Sequence, residues 1–573
     1  MKHLIILTTI SLLIGCSQKE ATDSTQPNIN EIADKYIEVM FKFNPELGTF
    51  YGVDVDHSLL SDNTIEGIKK QEAVEDSMFS ILNAVDEATL SKNDLITYKL
   101  LKGSIESSIN NRICKNYLWD INQMNGFYTW FRYIANTQPV GDSSSRKDAI
   151  SRWNKIPQFI KNNLENNRQG LETGYALPKV VIERVIEGLD QLSNLPLEQN
   201  PFYLPALKDT TSEFQSKMKA IVEEDIMPVV ISYKEFLEKD YLPNARQNLS
   251  ITNIPNGVAC YETSLSGYTT LKENPETIFQ WGEEAISIRE KAIIDIGNEV
   301  YGKTDISDIK QAFKADSSNY FNSREEILAT AEAAVKRAKL KVPEYFGLIP
   351  QADVIIEPIP EIEEKSAYSR YLPASDDGST PATYIQQTYK PKTRTKGNII
   401  STAFHETYPG HHLQIAISRE LVNSHPVTKY IGNSGFSEGW ARYTETLADE
   451  MGLYESKKQK LAMLMGLPTG MVVDPGIHFK NWTREEAIEY ALSKQTSMTR
   501  DDAERYVDRI AVLPGQMTTY GVGEMFFLKL RKSAEKKFGD QFDVKEFHDR
   551  CLKNGTVQLD FVTEEINNWV NNK

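Results

Sequence analysis

The sequence predicts a mainly α-helical protein with one small β-sheet, and three observations predict it. Apolar residues recur at helical spacing along most of the chain, helix starts and stops carry recognisable caps, and β-prone runs are confined to the stretch between about Lys341 and Ile400. The first helical face is Ile32, Tyr36, Val39, Met40 and Phe43, and Asn44-Pro45 ends it because proline cannot continue the ladder of backbone donors. Asn274-Pro275 opens a long helix closing near Gly302, while Ser323 with Glu326 and Thr483 with Glu486 have the spacing of capping boxes. The apolar stripes of these helices read as core. In the exceptional stretch, Val354-Ile355-Ile356 and Thr383-Tyr384-Ile385 are short strand-like runs. The Pro, Ser, Asp and Gly residues between Pro373 and Pro381 separate them, which predicts a small sheet with a long loop.

The N-terminus points to a compartment. Lys2 and His3 lead into the apolar run Leu4 to Ile14, which stops at Gly15-Cys16 and is too short to remain as a membrane-spanning helix. Leu13-Ile14-Gly15-Cys16 resembles the bacterial lipobox, in which the cysteine is lipidated and becomes the new N-terminus. Residues 1–16 therefore read as a lipoprotein signal peptide with Cys16 as its anchor, and residues 17–28 as a polar tether. The expected location is the cell envelope, with the membrane held through the lipid. Ser17 supplies no acidic retention signal, which favours the periplasmic side of the outer membrane in a Gram-negative organism.

Cys114, Cys260 and Cys551 remain; far apart and odd in number, they predict neither a disulfide framework nor a CxxC metal site. A net charge of -16 argues against nucleic acid, because phosphate binding needs a basic footprint. The chain is too long for one core, so a helical N-terminal lobe over residues 29–250 and a lobe carrying the chemistry over residues 251–573 are expected.

Three of the eight histidines fall within His405-Glu406-Thr407-Tyr408-Pro409-Gly410-His411-His412. In an HExxH helix two histidines one turn apart hold zinc, and the glutamate after the first takes a proton from water. Here Pro409 occupies the second histidine's place and cannot be a ligand. Pro409 and Gly410 should widen or bend the helix, so that two extra residues bring His411 to the ligand position. In an unbroken helix His412 would return to the His405 face after about 700° of rotation, but a rise of roughly 10.5 Å is too long for both to share one ion. His411 is the preferred second ligand, with His412 as the alternative. Gly435-Phe436-Ser437-Glu438-Gly439-Trp440-Ala441-Arg442-Tyr443 opens a further helix with Ser437 as a candidate N-cap, and it offers Glu438 as third ligand. Arg442 and Glu445 follow on the same face, placed either to orient the ligands or to form an exposed ion pair.

At this point the chain resembles a bacterial family of zincin-like metallopeptidases, domain of unknown function 885. The resemblance rests on HETYPGHHLQIA (405–416), GFSEGWARYTETLADEMGLY (435–454), VVDPGIHFKNWTREEAIEY (472–490) and LPGQMTTYGVG (513–523). It implies a zincin-like, gluzincin-type helical body with a deep cleft and a metal held by His and Glu residues of the first two blocks. Two departures bear on substrate preference: Pro475 within Asp474-Pro475-Gly476 stands where the family more often has a small hydroxyl residue, and Gly521 follows Tyr520 where a lysine is common.

The reaction expected is attack of metal-activated water on a peptide carbonyl, with Zn2+ as cofactor and Glu406 as general base and then acid. His478, preceded by Asp474, and Tyr520 are candidate donors to the oxyanion, and Arg442 and Tyr408 are candidate substrate-binding residues. Rival expectations are a non-catalytic surface lipoprotein that binds peptides or glycans, and a zinc amidase or esterase acting on a non-peptide bond.

Overall fold

The computed structural model describes residues 27–572 apart from 361–363, 365–366, 376–377, 379 and 422–423. The expected signal peptide, the Cys16 anchor and the tether up to residue 26 lie outside the described residues. What is described is mainly helical, with one three-stranded sheet. Among the described residues no helix is long and apolar enough to cross a membrane.

The first helix runs Ile29–Phe43, with Asn28 accepting from the Asn30 N–H at its start, and it stops at Asn44 before a second helix begins on Pro45. Helices between Cys114 and Tyr261 enclose a first core in which Trp153, Tyr233 and Tyr241 are fully buried. Within it the fold corrects one expectation, because Cys114 and Cys260 form a disulfide across 146 residues with their Cα atoms 4.9 Å apart. Sequence spacing could not show this, since the contact is made by tertiary packing. Only Cys551 is left as a free, buried thiol among the described residues. Replacing both bridged cysteines by serine is expected to cost about 2–5 kcal/mol, read as a lowered midpoint of urea unfolding.

A second core and smaller clusters beside it support the elements that matter for function. These are α1 (Pro275–Tyr301), α2 (Arg324–Tyr345), β1 (Val354–Pro358), β2 (Arg370–Leu372), β3 (Ala382–Gln386) and α3 (Lys396–Glu406). They continue with α4 (His411–Glu420), α5 (Ser434–Glu450), α6 (Gly470–His478), α7 (Arg500–Val512) and α8 (Thr519–Phe538). Helix α1 starts where Asn274 Oδ1 accepts from the Thr277 N–H at 2.8 Å and stops at Gly302, whose φ of 64 a side chain would resist. Thr483 and Glu486 form a complete capping box, at 2.7 and 3.2 Å. At α2 only half a box forms: Ser323 accepts from the Glu326 N–H, but the Glu326 carboxylate takes the Asn322 N–H instead.

The sheet has the order β1-β3-β2, with β1 parallel and β2 antiparallel to a fully buried β3. Helices α5 and α8 meet backbone to backbone. A Cβ on Gly439 would lie 2.3 Å from the Gly523 Cα, and one on Gly523 would lie 2.2 Å from the Gly435 carbonyl oxygen. Around that contact Phe436, Trp440, Tyr443 and Phe527 interlock, with Ile96 and Leu100 of the N-terminal half in the same core.

Candidate metal centre

Helix α3 ends at Glu406, where the Thr407 hydroxyl donates to the Ala403 carbonyl at 2.6 Å. The chain then crosses Tyr408-Pro409, a cis peptide bond, and α4 begins at His411. Two backbone bonds bridge the junction, Gly410 N–H to the Phe404 carbonyl at 3.1 Å and Leu413 N–H to the Thr407 carbonyl at 3.3 Å. Each spans six residues where an α-helix spans four, so the junction carries two extra residues. Two helices joined by a break thus replace the single bent helix expected. Gly410 is required, since a Cβ there would lie 2.0 Å from the His405 carbonyl oxygen. The result is that His411 faces His405, with ring centroids 4.7 Å apart.

Helix α5 supplies the third group. Its N-cap is Asn433, whose Oδ1 accepts from the Phe436 N–H at 3.0 Å, and not Ser437. The Trp440 indole donates to the Pro409 carbonyl at 3.1 Å, which ties α5 to the junction. Glu438 Oε2 lies 3.5 Å from His405 Nε2 and 3.4 Å from His411 Nε2. Ligand atoms of the three residues all fall within 4.8 Å of one another. A tetrahedral ion with bonds of about 2.1 Å separates its ligands by about 3.4 Å, so two edges already have the size zinc requires. This donor set, two imidazoles and a carboxylate, fits Zn2+, and the side chains retain 11, 11 and 21% exposure for His405, His411 and Glu438.

The surroundings orient this set. His405 Nδ1 lies 2.9 Å from Glu445 Oε1, which leaves Nε2 for an ion. Glu445 also accepts from the Ser401 hydroxyl at 2.9 Å and from Arg442 Nη1 at 2.8 Å. Arg442 Nη2 donates to the Gly466 carbonyl at 2.6 Å, and Glu524, itself paired with Arg289, lies 3.9 Å from Arg442 Nε. Burial pushes the Glu445 carboxyl up, but Arg442 and His405 outweigh it and bring it down to about 2. Burial is likewise outweighed at Glu438, where hydrogen bonds from His405 and His411 hold the carboxyl well below its usual range. Glu406 is raised by burial, against the pull of His405 and His411. His411 Nδ1 is buried without a partner, so no carboxylate fixes its ring as Glu445 fixes that of His405. Glu445→Gln is expected to weaken zinc binding about 10–100-fold with the helical circular dichroism unchanged, measured by competition with a chromogenic chelator.

Several expected site residues lie elsewhere. His412 is not in the cluster: Nε2 is 3.1 Å from both the Ala352 carbonyl and the Tyr408 hydroxyl, and Nδ1 is 3.2 Å from the Tyr371 hydroxyl. Tyr408 is thereby corrected from a substrate contact to a buried partner of His412. Arg442 is corrected in the same way, since its guanidinium is spent on Glu445 and Gly466. His478 is fully buried and offers no free donor, because Nδ1 accepts from the Ile251 N–H at 3.1 Å and Nε2 donates to the Ile510 carbonyl at 3.0 Å. Asp474 does not orient it; that carboxylate takes the Tyr261 hydroxyl at 2.8 Å and the Gly515 N–H at 3.0 Å. Tyr520 does reach the site, its ring stacked on His405 at 6.4 Å, with the phenol pushed up to about 12 by burial and by Glu438. Ser401, Tyr371, Glu524, Arg289 and Arg509 were not singled out in the sequence. Ser401 could have been, standing one helical turn before His405.

With this geometry in hand, one family model, that of a bacterial protein of unknown function (DUF885), matches residues 45–566. The chain belongs to this family. No curated protein matches it. Among solved structures, a candidate lipoprotein from Colwellia psychrerythraea is similar with a TM-score of 0.87 at 24% identity, over 95% of this chain and 99% of that one. A candidate lipoprotein of unknown function from Shewanella oneidensis is similar with a TM-score of 0.70 at 18% identity, over 94% of this chain and 99% of that one. These likenesses establish that the three share a fold.

Proposed function

We propose that this member of the family is a zinc-dependent peptidase of the cell envelope, a gluzincin-type hydrolase whose cleft opens over His405, His411 and Glu438. The observation that supports it most is the pair of ligand separations of 3.4 and 3.5 Å around Glu438, with Glu406 beside them and outside the ligand set. When bound, zinc would supply Lewis acidity to the scissile carbonyl and lower the pKa of water. Glu406, raised by burial, takes a proton from the attacking water and returns it to the leaving amine. Tyr520, stacked on His405, holds a phenolic proton beside the place where negative charge grows. Arg442 and Glu445 act through His405, which they keep in one orientation. For location, the lipobox-like N-terminus, the lipoprotein assignments of the two structural neighbours and the Cys114–Cys260 disulfide all support an exported, lipid-anchored protein.

The test combines zinc quantification on the purified chain with mass spectrometry of a peptide mixture before and after incubation. The expected result is about one zinc per chain, as the one ligand set among the described residues requires, together with new peptide termini. A chain that keeps zinc but cleaves no peptide would overturn the peptidase reading and leave an amidase or esterase, whereas a chain that retains no zinc would overturn the metal reading as well.

A further inference from the structure

Beside the metal cluster stands a group of positive side chains that neither the ligand set nor the proton relay uses. Helix α7 carries Arg505 and Arg509 one turn apart, and Arg394 comes from the segment before α3. Arg505 pairs with Asp502 at 2.5 Å and senses the Tyr368 phenol electrostatically. Arg394 donates from Nε to the Tyr389 carbonyl at 3.1 Å and senses Asp502, Arg505 and Tyr368 electrostatically. Arg509 donates from Nη2 to Gln516 Oε1 at 2.9 Å, and it senses the Tyr520 phenol, Glu438 and Tyr368 electrostatically. Its Nε is buried with no acceptor. Asp502 thus serves Arg505 at contact and Arg394 at longer range, while among the described residues no carboxylate lies at ion-pair distance from Arg509, whose electrostatic partner is Glu438 of the cluster.

A guanidinium with an unpartnered buried Nε, whose electrostatic partner Glu438 belongs to the proposed ligand set, is placed to take an anion that arrives with the ligand. A planar guanidinium flanked by a phenol matches a carboxylate, which accepts two parallel N–H bonds. The position narrows the choice of carboxylate. Arg509 lies within electrostatic reach of Tyr520 and Glu438, and Tyr520 stacks on His405, so the cation stands beside the proposed ion site. An extended residue spans about 3.3–3.6 Å, so an anion held there belongs to a residue close to the scissile bond. The one anion that every peptide carries at a fixed distance from its last bonds is its terminal carboxylate.

Resting on the peptidase reading above, we infer that Arg509, with Tyr520, binds the C-terminal carboxylate of the substrate and that the enzyme removes residues from peptide C-termini. Water oxygen adds to the carbonyl carbon, the C–N bond breaks, and Glu406 passes the proton to the departing amine. The products are a peptide with a new terminal carboxylate and a free amino acid or dipeptide.

Three probes test this with the zinc-loaded full chain: N-acetyl-Ala-Ala-Phe, its C-terminal amide, and N-acetyl-Ala-Glu-Phe amide. The free acid should be cleaved at least about tenfold faster than either amide, and in Arg509→Gln that difference should collapse, with Arg509→Lys intermediate. Calorimetry on zinc-loaded Glu406→Gln gives a readout independent of turnover. There the free acid should bind about tenfold tighter than its amide, and the preference should vanish when Arg509→Gln is added. Equal cleavage and equal binding of acid and amide would overturn the inference, as would preference for the amide containing Glu, which would assign the arginines to acidic side chains. Tighter binding of the free acid without cleavage of any probe would leave the carboxylate site standing and remove the hydrolysis. Zinc content and unfolding midpoint of each Arg509 variant show whether the fold survives, and an unfolded Arg509→Gln leaves Arg509→Lys and the wild-type acid-to-amide ratio to decide.

Discussion

Glu406→Gln should keep its zinc and lose about 10²–10⁴-fold in peptide turnover. The carboxylate is nearly isosteric with the amide, and Glu406 is outside the three-residue ligand set, so the ion keeps all its protein ligands. What disappears is the acceptor for the proton of the attacking water. Zinc content and turnover of the peptide mixture, measured on the same preparation, check both halves. Turnover at the wild-type rate would remove Glu406 from the mechanism.

The second large effect separates two adjacent histidines. A four-ligand zinc site is worth about 10–16 kcal/mol, so losing one ligand costs about 3–4 kcal/mol, or about 10²–10³-fold in affinity. His411→Ala should lose that much. His412→Ala should hold zinc close to the wild-type level, because its imidazole is spent on Ala352, Tyr408 and Tyr371. It should instead be less stable, with the Ala352 carbonyl and two hydroxyls left short of partners, by about 1–3 kcal/mol. Metal analysis after dialysis, alongside urea unfolding, distinguishes the two; zinc lost from His412→Ala and kept in His411→Ala would reverse the assignment.

Much of the local structure was legible because it is encoded locally. Asn274-Pro275 and Gly302 mark the ends of α1, and Pro409-Gly410 mark an interruption where two residues are added, since each acts through its own backbone geometry. The sequence was less informative where a partner lies far away or where neighbours compete. Ser437 has the right chemistry for an N-cap, yet Asn433, one turn earlier, holds that position. The carboxylate of Glu326 had two backbone donors in reach and took that of Asn322. His478 and Asp474 suggested a pair, but their partners Ile251, Ile510, Tyr261 and Gly515 come from other elements. The role of Arg442 was divided between an exposed ion pair and an orienting group until α5 was seen packed against α8 with Gly466 nearby. Arg509 carries no local signal, because its unpartnered Nε and its nearness to Glu438 arise only in three dimensions.

The bond from the Trp440 indole to the Pro409 carbonyl has a thermodynamic consequence for the whole molecule. The helix that carries Glu438 clasps the hinge between the two histidines, so packing alone brings together the three side chains of the proposed site. Binding energy is then spent on the ion and not on building the protein, unlike in a zinc finger, whose apo form is unfolded. Stripping with a chelator should leave secondary structure and cooperative melting intact. Added zinc should raise the melting temperature only as free ligand rises above its dissociation constant, the behaviour of a guest entering a finished host.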